Sequence, residues 1–278
     1  MNFFHAVTLG IVQGLTEFLP ISSSGHLVLF QSLFGLKEPE LLFDVAVHVG
    51  TLGAVCLFYF RDLKEIIRML FSRSVWSNQG GRFGKRAGEI PQVRLFALIV
   101  VGTVPTVCLG IAFRPVAAIL FSSIRIVGLM LLTTGLVLWL TRRTKKTGRG
   151  AGELTLRDAI YIGIIQGLAI LPGISRSGST IAMGLLRGIE RETAARYSFL
   201  LSIPAILGAL ILTCIGISEA THHNNVGIIL GGALVAFLVG YFALKLLVYM
   251  VQKGSFFVFA PYCWFLGALC LVYSFVRA

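Results

Sequence analysis

Residues 10–25 read GIVQGLTEFLPISSSG, and residues 163–178 read GIIQGLAILPGISRSG. Without gaps, nine of these sixteen positions are identical at an offset of 153. The matches include Gln13 with Gln166, Gly14 with Gly167, Ser22 with Ser175 and Ser24 with Ser177. Each string starts as an apolar helical run and breaks into a loop of Pro, Ser and Gly. Convergent use of small residues in membrane helices would give scattered matches. A shared pattern of Gln, Gly and Ser across a helix and its break points instead to an internal duplication. The predicted repeats cover about 1–145 and 150–278, within a single integral membrane domain, and meet in the basic linker around 141–152.

The surrounding chain fixes the class. Of 278 residues, 56% are hydrophobic and only 13% are charged, with a mean hydropathy of +0.87. A soluble domain carries roughly a quarter charged residues, so this chain cannot cover itself in water. Disorder requires low hydrophobicity, and Gly and Pro show no short period. The expected fold class is an all-α polytopic membrane protein. The net charge of +12 resides in basic stretches between apolar runs, which suits loops beside anionic lipid. No aromatic-interleaved basic patch suggests nucleic acid. Cys56, Cys108, Cys214, Cys263 and Cys270 all fall inside apolar runs without metal-ligand spacing, so neither a disulfide framework nor zinc is expected. The N-terminus lacks a basic n-region, and no cleaved signal peptide is expected.

A spanning helix needs about 20 apolar residues. Six stretches qualify: roughly 42–60, 95–113, 120–140, 195–217, 226–250 and 256–276. The regions 3–34 and 156–187 are interrupted by the two loops above, and broken backbone at membrane depth must be satisfied by protein or a wet cavity. They are predicted to be re-entrant helix-loop-helix hairpins. With six crossings and two hairpins, eighteen Lys/Arg fall on one side and four on the other. The positive-inside rule makes the first side cytoplasmic and turns both termini outward. A hairpin plus three spans per half inverts the second half, an arrangement that places a site near the midplane.

Under the offset, Ser23 corresponds to Arg176, so the loop tips are expected to meet near Ser23, His26 and Arg176. The halves differ where chemistry would matter: Glu17 corresponds to Ile170, and Arg176 has only Ser23 opposite it. Glu17 lies one helical turn after Gln13 on the same face. It either pairs with Arg176 to lock the hairpins or serves as a base or metal ligand. Serines of the first loop either cap the next helix or join His26 as an activated nucleophile. In the second loop, Arg176 at a helix start is either an ordinary interfacial arginine or part of an anion cradle suited to phosphate. No P-loop is present. Asp44 and His48 share a face of the first full span as supporting residues. His222 and His223 are expected in a solvated outer loop.

These residues carry a resemblance. Gly10–His26 resembles the first signature of the undecaprenyl-diphosphate phosphatase family of the bacitracin-resistance type, and Pro172–Thr180 (PGISRSGST) resembles its second. The resemblance covers essentially the whole chain. It implies hydrolysis of undecaprenyl diphosphate to the monophosphate carrier and inorganic phosphate, a divalent cation (Mg2+ or Ca2+), and a bacterial plasma-membrane enzyme whose site opens to the outer face. It carries catalytic roles to Glu17, Ser23, His26 and Arg176, and substrate-binding roles to Ser22, Ser24, Gly25, Ser175, Ser177 and Thr180. Glu17 and Gln13 would serve the metal, with Gln13 standing where many members have a second Glu. The implied partners are the lipid substrate and the bilayer, with a homodimer left open and nucleic acid excluded. A transporter or flippase of a polyprenyl phosphate or other anion is the alternative, because inverted repeats and broken helices are also transporter features. A ligand-free assembly subunit is a third reading.

Overall fold

The computed structural model describes residues 1–36, 41–72, 91–116, 119–120, 123–145, 147–216 and 226–276. Among them the secondary structure is helical, apart from one backbone bridge between Arg149 and Ile189. In chain order the helices are α1 (Phe3–Phe18), α2 (Ser23–Leu33), α3 (Leu41–Phe58), α4 (Phe60–Leu70), α5 (Pro91–Phe113) and α6 (Ile124–Leu140). The second half continues with α7 (Leu156–Leu168), α8 (Arg176–Leu186), α9 (Arg191–Gly216), α10 (Val226–Lys253) and α11 (Ala260–Val276). Five of them, α5, α6, α9, α10 and α11, are long and apolar enough to cross a membrane.

The expected span at 42–60 behaves differently. Its helix α3 meets the span criterion only together with α4, and the two are bent by 77°. Beyond it, where the basic stretch between the first two expected spans starts at Arg61, the chain is helical over residues 60–70. The physical reason lies in its pattern. Ile66 is buried and Leu63 and Leu70 pack on the core, while Arg61, Lys64, Glu65 and Arg68 point away. Such an amphipathic segment gains more by lying along the protein than by continuing a membrane axis. His222 and His223 lie outside the described residues.

Both interrupted regions are helix-break-helix pairs. α1 stops at Phe18 because Pro20 follows; Leu19 takes an extended ψ of 139°, as the residue before proline does. α7 opens on a Thr155–Asp158 capping box and stops ahead of Pro172-Gly173, where Gly173 takes φ +97°. α8 restarts with the Ser175 hydroxyl accepting from Gly178 N at 3.1 Å.

The ends of each pair lie side by side. At the first, the His5 ring stacks on Phe34 with centroids 4.5 Å apart. At the second, Asp158, fully buried, accepts two bonds from Arg149 (2.6 and 2.9 Å) and one from Arg187 (2.5 Å). Backbone bonds join Arg149 to Gly188 and Glu190 at 2.9 and 3.0 Å.

The duplicated glycines explain the packing. A Cβ on Gly14 would lie 2.9 Å from the Ala236 carbonyl oxygen and the Gly240 nitrogen of α10. Gly163 and Gly167, their repeat counterparts on α7, abut Gly102, Pro105 and Leu109 of α5. Each first-of-pair helix thus lies against a long helix of the opposite half through small residues. α6 and α11 cross reciprocally: a Cβ on Gly128 would meet the Gly267 oxygen at 3.0 Å, and one on Gly267 the Gly128 oxygen at 2.8 Å.

Candidate active site

The two breaks meet. The Ser177 hydroxyl, from the second loop, donates to the Phe18 carbonyl at 2.8 Å, and a Cβ on Gly178 would lie 2.9 Å from Pro20. This contact brings Glu17, at the end of α1, against Arg176, at the start of α8. Arg176 Nη2 donates to Glu17 Oε1 in a short ion pair. Ser23 donates to Glu17 Oε2 at 2.8 Å, and Gln13 Nε2 donates to the same oxygen at 3.1 Å. His48 Nε2 lies 3.9 Å from Oε2.

One carboxylate is therefore shared by groups from α1, α2, α3 and α8. Its side chain is 7% exposed and that of Arg176 is 17% exposed. Such a pair out of water is costly unless the remaining polar atoms are also satisfied. Two atoms here are not. Arg176 Nη1 and Gln13 Oε1 are buried without a hydrogen-bond partner. A guanidinium with one arm on a carboxylate and the other unpaired can receive an anionic oxygen without new desolvation.

His26 points elsewhere. Its Nδ1 lies 2.8 Å from the Ser22 carbonyl and its Nε2 lies 2.6 Å from the Tyr262 hydroxyl. The expected Ser23–His26 partnership is not the bond made: Ser23 is bound to Glu17. Ser22 is the one non-glycine residue with positive φ (70°) among the described residues. That conformation costs on the order of 1–3 kcal/mol and is found where a site demands it. Here it turns the Ser22 carbonyl toward His26.

The other sequence-predicted residues divide. Ser22 and Ser24 hydroxyls lie 3.4 Å apart, and among the described residues a Cβ on Gly25 would meet only Val127, at 3.9 Å. Ser175 caps α8. Ser177 ties the loops together. Thr180 bonds the Arg176 carbonyl at 2.7 Å and Ser198. These three second-loop hydroxyls shape the loop with bonds they already make. The two repeat glutamines also separate: Gln166 donates to Thr106 at 3.3 Å and to the Leu201 carbonyl at 3.2 Å, well within the helix packing. Asp44 accepts from Gln31 at 2.7 Å and its carbonyl lies 2.7 Å from His48 Nδ1, so it orients His48 toward Glu17. Tyr262 was not foreseen. It sits in an apolar run 236 residues from His26, and no local pattern marks it.

Among the described residues, no three His, Cys, Asp or Glu side chains converge as a metal cluster. The donor set fits a cation of another kind. Mg2+ keeps waters and binds through one or two carboxylates plus substrate phosphates. Glu17 would supply the carboxylate, and the unpartnered Gln13 Oε1 would supply a neutral oxygen.

The model of the family described as bacitracin resistance protein BacA matches residues 6–269. The chain belongs to that family. It is 49% identical over 278 residues to an undecaprenyl-diphosphatase of Desulforapulum autotrophicum, covering 99% of this chain and all of the relative. It is also 49% identical to one of Desulfatibacillum aliphaticivorans, with 99% and 100% covered. At greater distance, it is 40% identical to one of Methanosphaera stadtmanae, with 99% of each chain covered. The residues matched by the BacA family, 6–269, span both breaks.

Proposed function

We propose that this membrane protein is an undecaprenyl-diphosphatase whose active site is the Glu17–Ser23–Arg176 cluster. Full-length identity to undecaprenyl-diphosphatases supports the reaction. The observation that carries the site is the buried, unpartnered Nη1 of Arg176 beside a serine bonded to a carboxylate. The diphosphate enters on Arg176, whose Nη1 takes a phosphate oxygen first. As the guanidinium turns to the substrate, Glu17 loses its strongest partner and becomes a better acceptor for the Ser23 proton. Ser23 Oγ attacks the terminal phosphorus, the bridging P–O bond breaks, and the lipid monophosphate leaves. Water then hydrolyses the phosphoseryl group: His26 is the base for its proton, and protonated Glu17 returns a proton to the departing Ser23 Oγ. A divalent cation, Mg2+ or Ca2+, would be held by Glu17 and Gln13 and would offset diphosphate charge.

The same reading places six crossings and two re-entrant hairpins in an inverted repeat. Adjacent hairpin ends, paired glycine contacts between opposite halves and the reciprocal Gly128–Gly267 crossing all support it. With eighteen basic residues on one side, that side is cytoplasmic and both termini face outward, in a bacterial plasma membrane. On this topology, the site joins one hairpin from each face.

The test is phosphate release from a long-chain polyprenyl diphosphate by purified protein in detergent, with cation and then with chelator. The Arg176→Lys variant keeps the charge and loses the two-armed fork. It should lose roughly 100-fold in kcat, the scale of removing one transition-state donor. Near-normal turnover by that variant would sink the clamp. Absence of release from folded wild-type protein would favour a transporter, to be tested by flux in liposomes.

A further inference from the structure

We infer that Tyr262 hands the proton of the hydrolytic water to His26, and holds that imidazole in one tautomer and one orientation from the opposite half of the molecule. The inference rests on the phosphatase reading above. The Ser22 carbonyl can only accept, so the proton of neutral His26 is on Nδ1, 2.8 Å away. Nε2 is then a bare lone pair, and the Tyr262 hydroxyl donates to it at 2.6 Å. The two rings lie nearly parallel, at 15° with centroids 5.9 Å apart. His26 is itself buried, with 7% exposure, so its two ring nitrogens find their partners in protein.

A hydroxyl is the partner this step requires. Nε2 has a single lone pair and the hydroxyl covers it, so the proton of water reaches His26 through Tyr262: the hydroxyl gives its own proton to Nε2 as it takes one from water, and then accepts from Nε2–H. Neither state demands that the ring move. Tyr262 is in turn anchored beside the first loop: the thiol of its neighbour Cys263 donates to the Pro20 carbonyl at 3.3 Å. The start of α11 therefore grips the first loop at both Pro20 and His26. Sequence repeat gives no second copy of this grip, because the offset pairs Tyr262 with Leu109.

Tyr262→Phe removes only the oxygen. Phosphate release should fall about 10-fold in kcat, part of the 10²–10⁴ that general acid–base catalysis contributes, with KM within about 2-fold. In a His26→Ala background the same substitution should cost nothing more, since a residue acting through His26 has nothing left to act on. An unchanged kcat in Tyr262→Phe would overturn the inference, and so would an equal loss in both backgrounds. A second readout needs no turnover. Diethyl pyrocarbonate modifies the free imidazole nitrogen, and mass spectrometry reads the rate at His26. Freed of its hydroxyl partner, His26 should react several-fold faster in Tyr262→Phe than in wild type; an equal rate would also overturn the inference. If wild-type protein releases no phosphate, the phosphatase reading fails while the modification rate still judges the Tyr262–His26 contact.

Discussion

Glu17 holds the site together and is also its most exposed point of failure. Its carboxylate neutralises Arg176 and receives Ser23 and Gln13. Glu17→Gln keeps the shape and an acceptor oxygen but loses the charge. It should reduce phosphate release at least ~100-fold, within the range for a general base, while the protein still elutes as a single folded species. Glu17→Ala strands a buried guanidinium, which costs about 3–5 kcal/mol. Adding Arg176→Ala should restore part of that stability, read as a higher unfolding temperature for the double variant than for Glu17→Ala alone. Sequence marked this pair, because each member lacks a like residue in the other half. It offered two roles for Glu17, ion-pair partner and base or metal ligand, and the geometry shows the ion pair, with the base role belonging to the proposed reaction. It also joined Ser23 to His26 by proximity along the chain. Proximity cannot say which way a side chain points, and His26 bonds the Ser22 carbonyl and, on α11, the Tyr262 hydroxyl instead.

At the level of helices, the glycines decide how close two elements approach. Gly14 leaves no room for a methyl group beside α10, whereas a Cβ on Gly152 would meet nothing within 4 Å. Gly14→Ala should therefore destabilise the protein by about 1–3 kcal/mol through overpacking, and Gly152→Ala should leave the unfolding temperature unchanged. Thermal unfolding in detergent compares them directly. Asp158→Asn tests the other fastening, the closed ends of α7 and α8. Arg149 and Arg187 share that carboxylate, so the variant should lose stability on the same scale and expose the linker around residue 149 to protease. Helix limits were legible in sequence because Pro20, Pro172 and Gly173 stop helices for local reasons. The 77° bend between α3 and α4 was not. It depends on where an amphipathic segment finds apolar neighbours, among them the core around Ile66.

Across the whole molecule, the question that fixes everything else is whether α7 and α8 turn back or cross. Hydropathy alone cannot decide, since thirteen and eleven residues are together long enough for one span. The turn-back proposed above draws its support from the lateral bonds. Arg149 reaches Asp158, Gly188 and Glu190, and Arg191 Nη2 lies 3.4 Å from the Thr144 carbonyl. Segments before α7 and after α8 hydrogen-bond to one another, which chains emerging on opposite faces of a bilayer about 30 Å thick cannot do. From the end of α8, two helices lead to Lys253, and two crossings return the chain to the side it left. Lys145 and Lys253 must then share a face, with Arg114 opposite. Single cysteines at these positions, in a background without the native five, would be labelled with a membrane-impermeant maleimide in intact cells and in inverted vesicles. Lys145→Cys and Lys253→Cys should both react only in inverted vesicles, and Arg114→Cys only in intact cells. Labelling of Lys145→Cys and Lys253→Cys from opposite sides would mean that the second helix pair crosses. The inverted repeat would then be lost, and with it the reason for Glu17 and Arg176 to meet from opposite faces of the membrane.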